Sequence, residues 1–143
     1  MYFDTSVILS LYVEDVFTPK AVTFYGQHAP AATVSAWVDV EVKSALSVLV
    51  RTQRLALAGA QVALSAYDED RRRGVYESVP LGPEGFAAGV AALELGGSLR
   101  AGDALHLGAA KVAGLPLVTS DRALYGAAGA NKVPAVYLPD FLG

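Results

Sequence analysis

The chain contains no cysteine, so it forms no disulfide, binds no metal through thiolate and attacks no substrate with a thiol. Any metal it uses must be held by oxygen or histidine. Long hydrophobic runs are missing too: 53% of the residues are hydrophobic, yet no apolar stretch reaches the roughly 18 residues of a membrane span. The first residues show neither the positive start nor the apolar core of a signal peptide. No repeat, low-complexity tract or linker interrupts the chain. These absences lead us to expect one compact domain over residues 1–143, soluble and cytoplasmic, with no membrane contact.

Positive charge is also scarce. Fourteen acids against eleven Lys and Arg leave a net charge of −3, so the overall field does not attract nucleic acid. An enzyme acting on nucleic acid would need local compensation. The densest basic run, "DEDRRRG" from Asp68 to Gly74, reads as a solvated helix end, because cations favour a helix C-terminus followed by Gly.

What is present alternates between strand and helix patterns. Met1 to Thr5 reads as a short strand and "SVILSLYVED" as a helix. Thr18 as a cap and Pro19 in the first turn predict a helix running to about His28. Ala31 to Ser35 is a second strand. Ser35 can then cap a helix through "WVDVEVKSALSVLVRTQRL", whose Val38, Val42, Ala45, Leu46, Leu49 and Val50 follow helical spacing. On that helix Glu41 lies one turn from Trp37 and from Ala45, beside apolar surface and not among charges. A further helix in "AGAQVALSAYDEDRRRG", a strand in "VYESVPL" and a helix from Pro83 to the pair Gly96 and Gly97 follow. An Ala-rich helix stops at Gly114, "LPLVTS" is a strand, Asp121 opens a helix, and Val133 to Leu138 is the closing strand. This alternation predicts a three-layer α/β/α sandwich with a mostly parallel central sheet. Such sheets place their sites beyond the carboxyl ends of the strands, at a switch point in strand order, and Asp4 and Asp121 each follow a predicted strand.

Taken singly, each acid has a structural explanation: Asp4 and Asp121 as helix caps, Asp103 as a first-turn acid, Glu41 as a half-exposed helix residue. These explanations do not account for the set, in which two Asp sit at strand ends beside Ser6, Thr119 and Ser120 while two acids lie in otherwise apolar helices. A cluster of carboxylates is the ligand set of a hard cation, Mg²⁺ or Mn²⁺, which keeps several waters and can bridge to a substrate phosphate. A cation there would also supply the positive centre that an acidic protein needs to accept a phosphodiester. If the acids converge, like-charge repulsion should strain the metal-free site at neutral pH.

The opening "DTS", a helical Glu in mid-chain, "LRAGDALHLGAA" and "LVTSD", in that order, resemble the PIN-domain family, in particular the toxin ribonucleases of VapBC toxin–antitoxin pairs. The resemblance spans essentially the whole chain. It implies a PIN-like fold and a metal-dependent endoribonuclease whose acidic quartet falls on Asp4, Glu41, Asp103 and Asp121, with Asp39 close to Glu41 in sequence. Ser6 and Thr119 match supporting hydroxyls, with Ser120 beside them, and Arg100 either touches phosphate or braces the site. An RNA substrate, an antitoxin that blocks the site and homodimerisation are further implications of the resemblance. His106, three residues after Asp103, is read as a packing residue of a buried helix and not a ligand; His28 is expected to be exposed, and Trp37 to make core or dimer contacts.

Two other readings compete. A receiver-type signalling domain also joins an α/β fold to an acidic Mg²⁺ pocket, but it needs a mid-chain phosphoacceptor and a late Lys-Pro, and the chain offers only "NKVP". A non-catalytic PIN-like module that binds RNA or scaffolds partners would keep the fold without turnover.

Overall fold

The computed structural model describes residues 1–94 and 97–143. Five strands, β1 (Tyr2–Phe3), β2 (Thr33–Val34), β3 (Glu77–Ser78), β4 (Leu117–Thr119) and β5 (Ala135–Tyr137), form one sheet in the order β3-β2-β1-β4-β5. Every pairing is parallel. Seven α-helices are described: α1 (Thr5–Tyr12), α2 (Thr18–His28), α3 (Ala36–Arg51), α4 (Leu57–Arg73), α5 (Pro83–Glu94), α6 (Ala101–Ala113) and α7 (Arg122–Ala130).

The strand order determines the layers. The connections β1 to β2 and β2 to β3 run outward in one direction, whereas β3 to β4 crosses back over the sheet and β4 to β5 continues that way. Right-handed crossovers then place α1 to α4 on one face and α5 to α7 on the other. The packing agrees, with α1 against α3 and α4, and α6 against α5 and α7. The expected three-layer sandwich is therefore present, its central strands buried between the layers as Tyr2, Phe3, Val34, Leu117 and Val118. At the carboxyl ends of β1 and β4 the chain leaves in opposite directions, so the switch point lies between these two strands.

The strands are shorter than their sequence patterns. Asp4 ends β1 because its side chain accepts the Val7 amide and starts α1 at Thr5. Before β2, a 3₁₀ turn over Ala29–Ala31 takes up Pro30. Pro80 follows β3, while Pro116 and Pro134 precede β4 and β5, positions where a missing amide donor costs the ladder nothing. Two expected caps are not made. Thr18 lies inside α2, bonded to the Ser10 carbonyl and the Asp15 amide, and Ser35 turns its hydroxyl to Tyr2. Both hydroxyls find tertiary partners that local spacing does not reveal. Gly114 ends α6 in the left-handed conformation as expected, whereas Gly96 lies outside the described residues.

The "DEDRRRG" run is the last turn of α4, closed by left-handed Gly74. It is not wholly solvated, since Arg71 reaches Asp39 on α3 at 2.8 Å and Ser78 on β3 at 2.8 Å, while Arg72 pairs with Glu69. His28 is half-buried, not exposed: it stacks on Phe24 at 4.3 Å and its Nδ1 lies 2.9 Å from the Phe24 carbonyl. Helices α5 and α6 approach backbone to backbone. A Cβ on Gly108 would lie 2.1 Å from the Gly85 carbonyl oxygen, and one on Gly89 would lie 3.0 Å from that of Ala104.

Candidate active site

The switch point brings Asp4 and Asp121 to one edge of the sheet, each as a helix cap. Asp4 Oδ1 accepts the Val7 amide at 3.2 Å and the Ser6 hydroxyl at 2.6 Å, and Oδ2 accepts the Thr119 hydroxyl at 2.6 Å. Thr119 in turn accepts the Asp121 amide at 2.9 Å, so one hydroxyl joins the ends of β1 and β4. Ser6 accepts the Ser120 amide at 3.0 Å and tightens the same junction, while the Ser120 hydroxyl is buried without a partner. Asp121 Oδ1 caps α7 through the Leu124 amide at 2.9 Å. Its Oδ2 lies 3.5 Å from Arg100 Nη2, and Arg100 Nε donates to Asp103 Oδ2 at 3.1 Å. The guanidinium, carried on a side chain that is 76% exposed, thus spans the acid at the start of α6 and the acid at the start of α7.

Glu41 comes from α3. Its Oε2 accepts the Thr5 hydroxyl at 2.8 Å and lies 2.5 Å from His106 Nε2. Behind it, His106 Nδ1 is 2.9 Å from the Tyr2 hydroxyl, which is 2.7 Å from Ser35 Oγ. A carboxylate only accepts, so Nε2 donates to Glu41, and the ring's other nitrogen is engaged by the Tyr2 hydroxyl, itself bonded to Ser35. Beside Glu41, residue 102 must be Gly as the side chain stands, because a Cβ there would lie 2.6 Å from Glu41 Oε1. The indole of Trp37 donates to the Gly102 carbonyl at 3.1 Å, which fixes α3 against the start of α6.

The two inner acids titrate in opposite directions. Burial pushes Asp4 above the ordinary carboxylate range, against the attraction of His106 and the hydrogen bonds of Ser6, Thr119 and Val7. For Glu41, burial works the same way but is outweighed by the hydrogen bonds from His106 and Thr5 and by attraction to Arg100, so its carboxyl is held below the ordinary range. Burial also pushes the Tyr2 hydroxyl up, which keeps it protonated as a donor.

Sequence reasoning expected the four acids to meet as one set. The structure brings Asp4, Asp121 and Asp103 into one chain of contacts through Thr119 and Arg100, and places Glu41 on Thr5 and His106. Among the described residues no three Asp, Glu or His side chains are spaced to close around one metal ion. The physical reason is that each acid is drawn to its own donor, and that Arg100 sits between two of them. Glu41, expected beside apolar surface, instead bonds to the Thr5 hydroxyl and to His106. Asp39 faces elsewhere: it accepts from Tyr67 at 2.6 Å and pairs with Arg71 at 2.8 Å. Missed by the sequence were the partnership of His106 with Glu41, the hydroxyls of Thr5 and Tyr2, and the room left by Gly102. Only Thr5, beside Asp4 in "DTS", carried a visible signal.

The donor set fits a hard divalent cation in kind, being carboxylate oxygen with neighbouring hydroxyls. Mg²⁺ commonly takes one or two protein carboxylates and fills its other positions with water and substrate phosphate, so three converging acids are not required. The guanidinium held across Asp103 and Asp121 shows that this pair already draws a cation.

A parallel three-layer α/β domain with carboxylates at its switch point is the class that the fold and site define. A family model for the PIN domain matches residues 1–130, and the chain belongs to the PIN-domain family. Comparison with curated proteins finds no match. Among solved structures the fold is similar to FitAcB from Neisseria gonorrhoeae, with 17% identity, TM-score 0.75 and coverage of 98% of this chain and 99% of that one. It is also similar to a toxin-antitoxin complex from Klebsiella pneumoniae, with 20% identity, TM-score 0.62 and 96% of each chain covered. VapBC2 from Rickettsia felis, bound to a DNA fragment from the promoter, matches with 13% identity, TM-score 0.65 and coverage of 95% and 98%.

Proposed function

We propose that this chain is the toxin of a toxin–antitoxin pair and a divalent-cation-dependent endoribonuclease that hydrolyses RNA phosphodiesters. The observation that carries this reading is the junction Asp4–Thr119–Asp121 at the switch point, extended through Arg100 to Asp103 and flanked by Glu41. PIN domains are in general nucleases, and the similar structure from Klebsiella pneumoniae is a toxin-antitoxin complex. The whole chain, residues 1–143, acts as one domain in this reading, working in the cytoplasm. Among the described residues no helix is long and apolar enough to cross a membrane.

Asp103 and Asp121, with Asp4 and Glu41 around them, would hold Mg²⁺ or Mn²⁺. The cation would supply positive charge to a bridging phosphate and acidify a water for in-line attack. The chain's own residues do the rest. Thr119 and Ser6 hold Asp4 in one rotamer. The Leu124 amide takes Oδ1 of Asp121 and leaves Oδ2 facing the site. His106 and Thr5 orient the Glu41 carboxylate and keep it ionised at neutral pH, able to receive a hydrogen bond from the attacking water. Arg100 offers the exposed guanidinium that a net-negative protein needs to meet RNA phosphate. A small antitoxin protein is the proposed partner. A homodimer is proposed as well, for which Phe86, Val90 and Leu93 offer an exposed apolar face on α5.

The test is cleavage of single-stranded RNA by purified protein, with Mg²⁺ or Mn²⁺ and with EDTA. Cleavage should stop in EDTA, and Asp103→Asn should cost at least about 100-fold in rate. Undiminished cleavage in EDTA, or by Asp103→Asn, would sink the assignment. RNA binding with no cleavage under any cation would favour the scaffolding module instead.

A further inference from the structure

Arg100 has no task in the local helix structure where it stands. It occupies the cap position of α6 without capping it, its side chain is 76% exposed, and an exposed arginine gains little from a surface ion pair alone. Yet it makes two such pairs at once, one with the acid at the head of α6 and one with the acid at the head of α7. Both carboxylates belong to the set that would hold a divalent cation, and both reach the guanidinium through Oδ2. Asp121 has committed Oδ1 to its helix, so Oδ2 is the oxygen it has left to give.

We propose that Arg100 is a built-in rival of the divalent cation: its guanidinium and the cation compete for the Oδ2 atoms of Asp103 and Asp121, so Arg100 weakens cation binding while stabilising the cation-free protein. This rests on the metal-dependent reading above and deepens it. Two like charges in one small region repel unless a cation stands near, and Arg100 fills that need from within the chain. The entering cation releases the guanidinium toward solvent, where an RNA phosphate can take it as a fork-shaped donor. Binding order follows. The cation and Arg100 exchange at one place, so the phosphate-binding arginine becomes available as the cation arrives.

A bracing role predicts the opposite sign, because a residue that only holds the acids in position should weaken cation binding when removed. Isothermal titration of Mn²⁺ into intact wild type, Arg100→Gln and Asp103→Asn therefore decides the matter. Two ion pairs that share one exposed guanidinium are worth roughly a threefold to tenfold change in an equilibrium constant. Arg100→Gln should bind Mn²⁺ tighter than wild type by about that factor, melt lower in EDTA and gain more melting temperature from saturating Mn²⁺. Asp103→Asn should bind more weakly than either. Equal or weaker binding by Arg100→Gln, with wild type binding normally, overturns the competition and leaves the metal-dependent reading standing. Absence of Mn²⁺ binding in both proteins overturns the competition and the metal-dependent reading together.

Discussion

Gly102 offers a way to move one acid without unfolding the protein. A methyl group there would lie 2.6 Å from Glu41 Oε1, where ordinary contact begins at 3.4 Å, and 3.5 Å from Trp37 Cζ2, which it can tolerate. The obstructed atom is the end of a flexible side chain, so Glu41 yields and the backbone need not. Residue 102 lies within α6 and is absent from the positive-φ positions, so Ala adopts its conformation without strain. Replacing Gly by Ala inside a helix is worth up to about 1 kcal/mol, less in the first turn. Against that gain stands loss of the contacts of Glu41 with Thr5 and His106, one or two hydrogen bonds of about 1 kcal/mol each. Gly102→Ala should therefore melt within a few degrees of wild type. Cleavage should fall far more, about 10- to 100-fold, because a misplacement near 1 Å can cost that much. A fluorogenic RNA assay beside thermal melts reads both. The mechanism is checked in a Glu41→Gln background, where adding Gly102→Ala should cost little further activity. Full activity in the single variant, or an equal loss in both backgrounds, would refute action through Glu41.

Other perturbations separate fold from site. Gly108→Ala puts a methyl against the Gly85 carbonyl at 2.1 Å, backbone against backbone, and should destabilise by about 1–3 kcal/mol or more in urea melts; a wild-type midpoint would refute the tight α5–α6 contact. At Asp39, burial opposes the charge, but Arg71 and Tyr67 outweigh it and hold the carboxyl below its ordinary range. A depressed acid stabilises the fold above its unfolded value near pH 4 and loses that contribution as pH falls through the folded value. Asp39→Asn should therefore melt lower than wild type at pH 7 by the equivalent of about 1 kcal/mol, discounted for its partly exposed side chain, with the gap closing below about pH 4. Its cleavage rate should be unchanged, unlike that of Glu41→Gln, and a large rate loss would show that the wrong acid of α3 had been assigned.

The elements that build the site were the easiest to read from the sequence. Asp4 and Asp121 announce themselves because strand end, hydroxyl neighbour and helix start are all local patterns, and the fold needs only parallel pairing of β1 with β4 to join them. Asp103 reads locally as a first-turn acid, and only the resemblance of "LRAGDALHLGAA" to the family's motif marks it as a site residue. Glu41 was legible as a position and not as an environment, since its partners come from residues 36 and 65 places away. His106 looked like a packing residue and is indeed 1% exposed, but burial forced both ring nitrogens to find partners, and one of them is the acid. Strand lengths were overestimated because Asp4 and the prolines end pairings that hydrophobic pattern alone would prolong.

Capping and catalysis had looked like alternatives for Asp4 and Asp121; in the proposed function one arrangement serves both. A carboxylate has two oxygens and about four acceptor sites. A cap uses one oxygen and, in doing so, removes the freedom of the side chain to turn away. Asp121 spends Oδ1 on the Leu124 amide and presents Oδ2 to Arg100. Asp4 spends Oδ1 on Val7 and Ser6 and its Oδ2 on Thr119, the hydroxyl that also takes the Asp121 amide. The parallel sheet starts α1 and α7 side by side at its switch point, so two capped acids become neighbours without any residue devoted solely to bringing them together. Asp121→Asn keeps the capping oxygen and loses the charge; it should fold and melt close to wild type while its cleavage collapses. Asp121→Ala loses both and should in addition unfold about 1 kcal/mol more easily. If the two variants instead lost the same stability, the cap would contribute nothing, and the positioning of Oδ2 would need another cause.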